Sequence, residues 1–505
     1  MAEQKAVKEL VKALSQSKIV LSGDVTDDVL EGIDISLLAS KLEEGSDGST
    51  LRIVSAITIK ATIDELKAVK MPLPMEVLRS SDFNPIAAEY DASYAINSKA
   101  SERAEGTTND FVVYFRDRLR RIKGIIEEHR KDAFGLLQSI ENMKGFADGR
   151  EMSIVGIVTS KMTTRNGNLM VIIEDDTAEA RVIFTNGTSS FAKALFGKAT
   201  NLVNDEVIAV KGKKAGALLI ANEILLPDVP IKNRKEIKED LAIGFMSDVH
   251  VGSKMFLEKN FNRVIQWLNG ETFEGKYKDL AGKIKYIMIA GDVADGIGIY
   301  PDQQDNLAIL DIYLQYKKLF EILENIPDYI HVFMIPGNHD AVQRAEPQPP
   351  LGLDIIKDFK RDNIHIMSNP SYVTLNGIDI LSYHGTSLDS MIASIPGLSY
   401  AQPEKAMIEV LKRRHLSPIY GGNIIVPSKN DNLVIDKVPD KLHMGHIHKN
   451  GISNYHGVDI INSGTWQSRT DYQIRQGHIP SPCILPVYEM RTRNIVSMDF
   501  SSEAQ

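Results

Sequence analysis

The sequence has one cysteine, Cys483, and two tryptophans in 505 residues. A single thiol allows no internal disulfide, which fits a reducing compartment such as the cytoplasm. Any metal must then be held by imidazole, carboxylate and amide oxygen rather than by thiolate. Long apolar runs are also missing. Nothing approaches the roughly 20 consecutive apolar residues of a membrane span. The opening MAEQKAVKELVKALSQ is charged throughout and lacks the apolar centre of a signal peptide. No membrane association is expected. Positive charge is not in excess either: 67 Asp and Glu stand against 58 Lys and Arg, a formal net charge of −9. A chain that holds nucleic acid by itself is usually basic. If this one handles nucleic acid, it does so through local features, or a partner carries most of the affinity.

What is present reads as a multidomain globular protein. Hydrophobic residues make up 43% and charged residues 25%, ordinary values for a folded chain. The length predicts two or three domains. Residues 1–70 read as a small helical module, with Val7, Leu10, Val11 and Leu14 at helical spacing and further helices expected around Ile33–Leu42 and Ile63–Val69. From 71 to 108, prolines, serines and charges without a sustained period predict a flexible linker. Residues 109–150 predict a connecting helix whose apolar face is Leu119, Ile122, Ile125 and Ile126. Its basic run, Arg116, Arg118, Arg120, Arg121 and Lys123, reads either as a solvated face or as a phosphate contact.

Residues 151–230 change period. Short apolar strands are separated by an Asn166-Gly167 turn and an acidic turn at Asp175-Asp176. Five such strands predict an oligonucleotide-binding (OB) barrel, here poor in aromatics and as consistent with a scaffold as with strand binding. Residues 239–500 alternate apolar strands with helices, the pattern of an α/β layered domain.

Five polar clusters each follow a predicted strand of that last region: Asp248-Val249-His250, Gly291-Asp292, Gly337-Asn338-His339-Asp340, His384-Gly385 and Gly445-His446-Ile447-His448. Each alone reads as a turn or a cap. Together they engage five of the twelve histidines, all at strand ends where α/β sheets place ligands. Imidazole and oxygen donors without thiolate suit manganese, iron, magnesium or zinc. A carboxylate has two oxygens and can bridge two cations, and Asp292 sits where such a bridge would. Residues two apart in extended chain face one way, so Asp248 can converge with His250, and His446 with His448. Two cations about 3.5–4 Å apart suit phosphate-ester cleavage. His339 is placed to protonate a leaving oxygen, with Asp340 holding its tautomer.

These clusters resemble the calcineurin-like metallophosphoesterases. The resemblance implies two divalent cations, manganese foremost, with magnesium, iron or zinc as alternatives. It implies one cation on Asp248, His250, Asp292 and His448 and another on Asp292, Asn338, His384 and His446, with His339 catalytic and not a ligand. The order of helical module, linker, OB barrel and phosphoesterase further resembles the small subunits of archaeal family D DNA polymerases. That implies a 3′–5′ proofreading exonuclease acting on single-stranded DNA 3′ ends. It also implies a large catalytic subunit as partner for synthesis, and contact with DNA and with a sliding clamp or primase. Two other readings stay open: a non-catalytic scaffold, and a metal-dependent phosphatase or phosphodiesterase on another substrate. The segment 396–440 interrupts the domain, and its basic cluster Lys412, Arg413 and Arg414 reads either as a DNA contact or as cations capping a helix.

Overall fold

A computed structural model describes residues 83–98, 104–357, 359 and 361–501, together with separate segments of residues 5–73. The chain divides into two compact units, Met1–Leu73 with Thr492–Ser497, and Pro74–Arg491 with Met498–Gln505. In the first, a helix Lys5–Ala13 buries Leu10, with Leu14 buried just beyond it, while Val11 faces outward. This unit is not purely helical as expected. Ile19–Leu21 pairs in parallel with Arg52–Val54 over the same small core. The expected helix Ile63–Val69 lies outside the described residues.

The second unit begins with segments that the sequence presented as linker. Over 83–98 this expectation is corrected. Tyr94–Asn97 is an edge strand, antiparallel to Ser371–Leu375. Buried Lys285 donates to the carbonyls of Ala87 and Tyr90. A four-residue strand among prolines and serines has too short an alternation to be read. The helix Thr108–Phe134 (α1) follows. Its first turn is fixed reciprocally: Thr107 Oγ1 accepts from the Asp110 amide, and the Asp110 carboxylate accepts from the Thr107 amide.

Five strands then close a barrel: Glu151–Thr163 (β1), Leu169–Glu174 (β2), Glu179–Phe184 (β3), Val207–Ala215 (β4) and Leu218–Leu225 (β5). The order is β1-β2-β3-β5-β4, with β4 returning to β1, β3 and β5 parallel and the other pairs antiparallel. Alternate residues such as Val171, Ile173, Val182 and Val210 fill the interior. The apolar face of α1 covers the outside of β1 and β4 through Leu119, Ile122, Ile125 and Ile126.

Two sheets make up the larger domain. The first runs Ile364–Ile366, His331–Ile335, Ile284–Ala290 and Ala242–Met246 in parallel, then Ile484–Glu489 antiparallel. Every residue of Ala242–Met246 and Ile284–Ala290 is buried, as parallel strands covered on both faces require. The second runs Gly451–Tyr455, Val458–Asn462, Lys441–Met444, Ile378–Ser382, Ser371–Leu375 and Tyr94–Asn97. Among the described residues no helix is long and apolar enough to cross a membrane.

Candidate metal centre

Both sheets aim their strand ends at one place. Asp248 lies two residues past Met246, Asp292 two past Ala290 and Asn338 three past Ile335, all on the first sheet. From the second, His384 lies two past Ser382 and His446 two past Met444. At five of the seven candidate donors the backbone is left-handed: φ is 53° at Asp248, 54° at His250, 50° at Asp292, 66° at His446 and 56° at His448. Such φ values are uncommon away from glycine and cost on the order of 1 kcal/mol or more each, so they persist where the surroundings enforce them. Two glycines allow backbone to pass close against these carboxylates. A Cβ on Gly337 would fall 2.2 Å from Oδ1 of Asp292, and one on Gly445 2.4 Å from Oδ2 of Asp248.

The side chains converge. Nε2 of His448 is 3.3 Å from Oδ1 of Asp248 and 3.0 Å from Nε2 of His250. Nε2 of His250 is 4.0 Å from Oδ2 of Asp292. On the other side, Nε2 of His384 is 3.3 Å from the same Oδ2 and 3.0 Å from Oδ1 of Asn338. Asp248, His250 and His448 can share one ion, and Asp292, His384 and His446 another.

Four of the histidines have their second ring nitrogen engaged. Nδ1 of His250 meets Oδ1 of Asp295 at 3.0 Å, and Nδ1 of His384 meets the Ala290 carbonyl at 2.8 Å. Nε2 of His446 meets Oδ2 of Asp389 at 2.9 Å, and Nδ1 of His448 meets the Gln473 amide at 2.9 Å. One nitrogen per ring is thus oriented inward by a partner behind it, the arrangement metal-binding histidines have. The donor chemistry and the cradle fit two divalent cations. Asp295 had a signal in the sequence, as the second aspartate of the loop that follows Gly291. Asp389 and Gln473 had none, because their roles arise from folding alone.

The field at the centre is negative. Burial disfavours the charge on Asp292, but His384, His339 and His250 outweigh it and hold its carboxyl well below the usual range. Burial likewise pulls His250 and His384 down, yet the Asp295 hydrogen bond and nearby carboxylates bring His250 to about 9, and Asp292 brings His384 to about 10. His339 shifts downward, because burial exceeds the pull of Asp292 and Asp295.

The expected role of Asp340 needs correction. Its carboxylate accepts from the amides of Val293, Ala294 and Gly337 and from the Tyr316 hydroxyl. It clamps two ligand loops together and does not orient His339. Nδ1 of His339 instead sits 2.8 Å from the Asp295 carbonyl oxygen. A carbonyl only accepts, so Nδ1 carries the proton and Nε2 is the free ring nitrogen.

The B-subunit family of DNA polymerases alpha and epsilon matches residues 243–450, a span from just before Asp248 to just past His448. The DNA polymerase II small subunit of Archaeoglobus fulgidus is 43% identical, over 78% of this chain and 77% of that one. This chain belongs to the archaeal DNA polymerase II small-subunit family. The member from Methanothermobacter thermautotrophicus is 39% identical, over 80% of this chain and 82% of its own. The one from Methanocaldococcus jannaschii is 44% identical over 76% of this chain, which spans 64% of that relative's length. A solved archaeal phosphodiesterase aligns with 51% of this chain at 14% identity and a TM-score of 0.26, too slight a likeness to argue from.

In this family member the basic cluster expected to contact DNA is not at the centre. Arg413 and Arg414 are buried. Arg413 pairs with Glu206 of the barrel at 2.7 Å and with Glu409. Arg414 donates to the carbonyls of Ile435, Asp228 and Asp436. Lys412 pairs with Glu409. Arg118 of α1 is buried against Asp431 at 2.7 Å, so it is neither solvated nor available to phosphate. A guanidinium enclosed by such partners cannot reach a strand, and these residues join α1, the barrel and the two-sheet domain instead.

Proposed function

We propose that this chain is the exonuclease subunit of a replicative DNA polymerase. It would remove nucleotides from single-stranded DNA 3′ ends beside a large catalytic subunit, which synthesis would require. The observation that carries the reading is the convergence of seven donor side chains from two sheets, their histidines each backed by a partner. Asp248, His250, Asp292 and His448 would hold one cation, and Asp292, Asn338, His384 and His446 the other, with manganese as the first expectation. When bound, two such cations supply Lewis acidity for activating water and for neutralising the phosphoryl oxygens. The protein's own groups do the rest. The left-handed strand ends and the Gly337 and Gly445 contacts hold the donors in place before substrate arrives, so little reorganisation is left to the reaction. His339 lines the cavity with its Nδ1 anchored on the Asp295 carbonyl. Its free Nε2, once protonated, can give a proton to the departing O3′.

The test is digestion of a 5′-labelled single-stranded oligonucleotide by the full chain with Mn²⁺, with Mg²⁺, Fe²⁺ and Zn²⁺ in parallel. Stepwise shortening is expected, and His339→Ala should slow it about 10²–10⁴-fold. An intact oligonucleotide at full metal occupancy would refute the reading. Absence of bound metal would point to a scaffold. Turnover of p-nitrophenyl phosphate esters far above that of DNA would point to another substrate.

A further inference from the structure

The metals' cavity has two unlike walls. It encloses about 720 Å³ and opens between the loop around Tyr300 and the segment around Tyr472. The first wall carries Asp302 and Asp305. The second is the short helix Asp471–Arg475 and the loop after it, and it places Tyr472, Arg475 and His478 on the cavity. Arg475 is exposed and forms no ion pair among the described residues, and the same holds for Arg469 just before the helix. This sets them apart from Arg118, Arg413 and Arg414, whose charges are enclosed by carboxylates and carbonyls. Asp471 is also on this wall and partly offsets the two arginines.

Aromatic surface lies at the same mouth. Tyr472 is 60% exposed and Tyr300 38% exposed. Tyr400 packs against His478, with ring centroids 4.1 Å apart and planes tilted by 32°. Tyr400 lies close to Asp389, whose Oδ2 is 2.9 Å from Nε2 of His446. The Tyr400–His478 pair therefore sits beside the group that orients His446. Aromatic rings grouped at a cavity mouth are the composition of surfaces on which bases stack.

Resting on the exonuclease reading, we infer that the 469–478 wall is the strand-binding surface of the site. Tyr472 and the Tyr400–His478 pair stack the terminal bases of a single-stranded polynucleotide, and Arg475 with Arg469 follows its phosphates. The charges set the orientation. Phosphates run along the arginine wall and away from Asp302 and Asp305, which leaves the bases to the rings. Stacking on an aromatic side chain needs only a base face, so the surface tolerates any sequence. A paired terminus has its bases already stacked and paired, so entry favours a frayed or single-stranded end. This supplies, beside the metals, the local affinity that a chain of net charge −9 lacks overall.

The test compares the full chain with Tyr472→Ala, Tyr472→Phe and Arg475→Ala, all with Mn²⁺, on three substrates. These are a single-stranded oligonucleotide, the same oligonucleotide ending in two abasic nucleotides, and bis(p-nitrophenyl) phosphate. Loss of the ring at Tyr472 should raise KM for the normal oligonucleotide about tenfold, from a stacking contribution of that order, with kcat little changed. Tyr472→Phe should behave as the unaltered chain. The unaltered chain should prefer the normal end to the abasic end, and Tyr472→Ala should erase that preference. Arg475→Ala should weaken both oligonucleotides alike and flatten the salt dependence. Turnover of bis(p-nitrophenyl) phosphate, too short to follow the wall, should fall much less than turnover of the oligonucleotide in the two alanine variants. If the variants match the unaltered chain on DNA, or lose DNA and small-diester turnover equally, the inference is wrong. If the unaltered chain leaves DNA intact, the exonuclease reading fails first.

Discussion

Asp431→Ala removes the anion of a buried junction, and its effect follows from the contacts around it. Asp431 accepts from Nε of Arg118 at 2.7 Å and faces Nε2 of His415 at 2.8 Å. Arg118, Asp431 and His415 are each at most 1% exposed. Arg118 also donates to the carbonyls of Asp205 in the barrel and Pro418 in the segment 396–440, at 3.0 and 2.8 Å. The substitution therefore leaves the guanidinium partly hydrogen-bonded but without a counter-charge. Removing one partner of a buried pair costs about 3–5 kcal/mol, and the surviving carbonyls place this case near about 3 kcal/mol. Native-state hydrogen exchange is the suitable assay, since a chain of several domains does not unfold in one step. Amides of Ile122–Ile126 in α1 and Val207–Val210 in β4 should lose protection by that amount. Arg118→Met in the same molecule removes the stranded charge, so the double variant should recover much of the loss. Unchanged protection in Asp431→Ala, or single-variant losses that simply add in the double variant, would refute the argument.

The same junction makes stability pH-dependent. Burial, reinforced by Arg118 and opposed by Asp431, brings His415 to about 4, whereas an unfolded histidine titrates near about 6.5. The unfolded chain takes up the proton first as pH falls, so stability should drop between about 6.5 and 4, by up to roughly 3 kcal/mol. Asp431 acts in the same direction at lower pH: burial opposes its charge, but His415 and Arg118 hold its carboxyl far below the usual range. Denaturant titrations at stepped pH would show a flat acid limb if this is wrong. Asp389→Asn should weaken one Mn²⁺ site about 10–100-fold by loosening His446, read by calorimetric titration, and equal affinity would refute the assignment. Burial pushes the Cys483 thiol up to about 12, so a thiol-specific disulfide reagent should react only after unfolding. Rapid labelling of the native chain would count against the packing of Cys483.

The convergence of the candidate donors was legible in the sequence because they sit at fixed offsets after apolar strands. Asp248, Asp292, Asn338, His384 and His446 each follow a run that could be read as buried, and the offset survives whatever the rest of the chain does. The five barrel strands were legible for a similar reason, since turn residues separate them. The edge strand Tyr94–Asn97 was not, being short and paired with the distant Ser371–Leu375 in the register Asn97↔Tyr372. Nor was the role of Asp340, since its position beside His339 in sequence says nothing about which way its carboxylate turns.

Composition and local pattern alone determined the donor types, their places at strand ends and the absence of thiolate chemistry. Only the tertiary structure decided which charges belong to the fold and which to the site. Arg118, Arg413 and Arg414 looked like candidates for phosphate, but they meet Asp431, Glu206 and Ile435 from other parts of the chain and are buried there. Arg469 and Arg475 drew no notice in the sequence, yet folding leaves them exposed, Arg475 on the cavity wall and Arg469 just before it. The physical reason is desolvation. Whether a charge is available to a ligand depends on what covers it, and the covering residues here come from distant parts of the sequence.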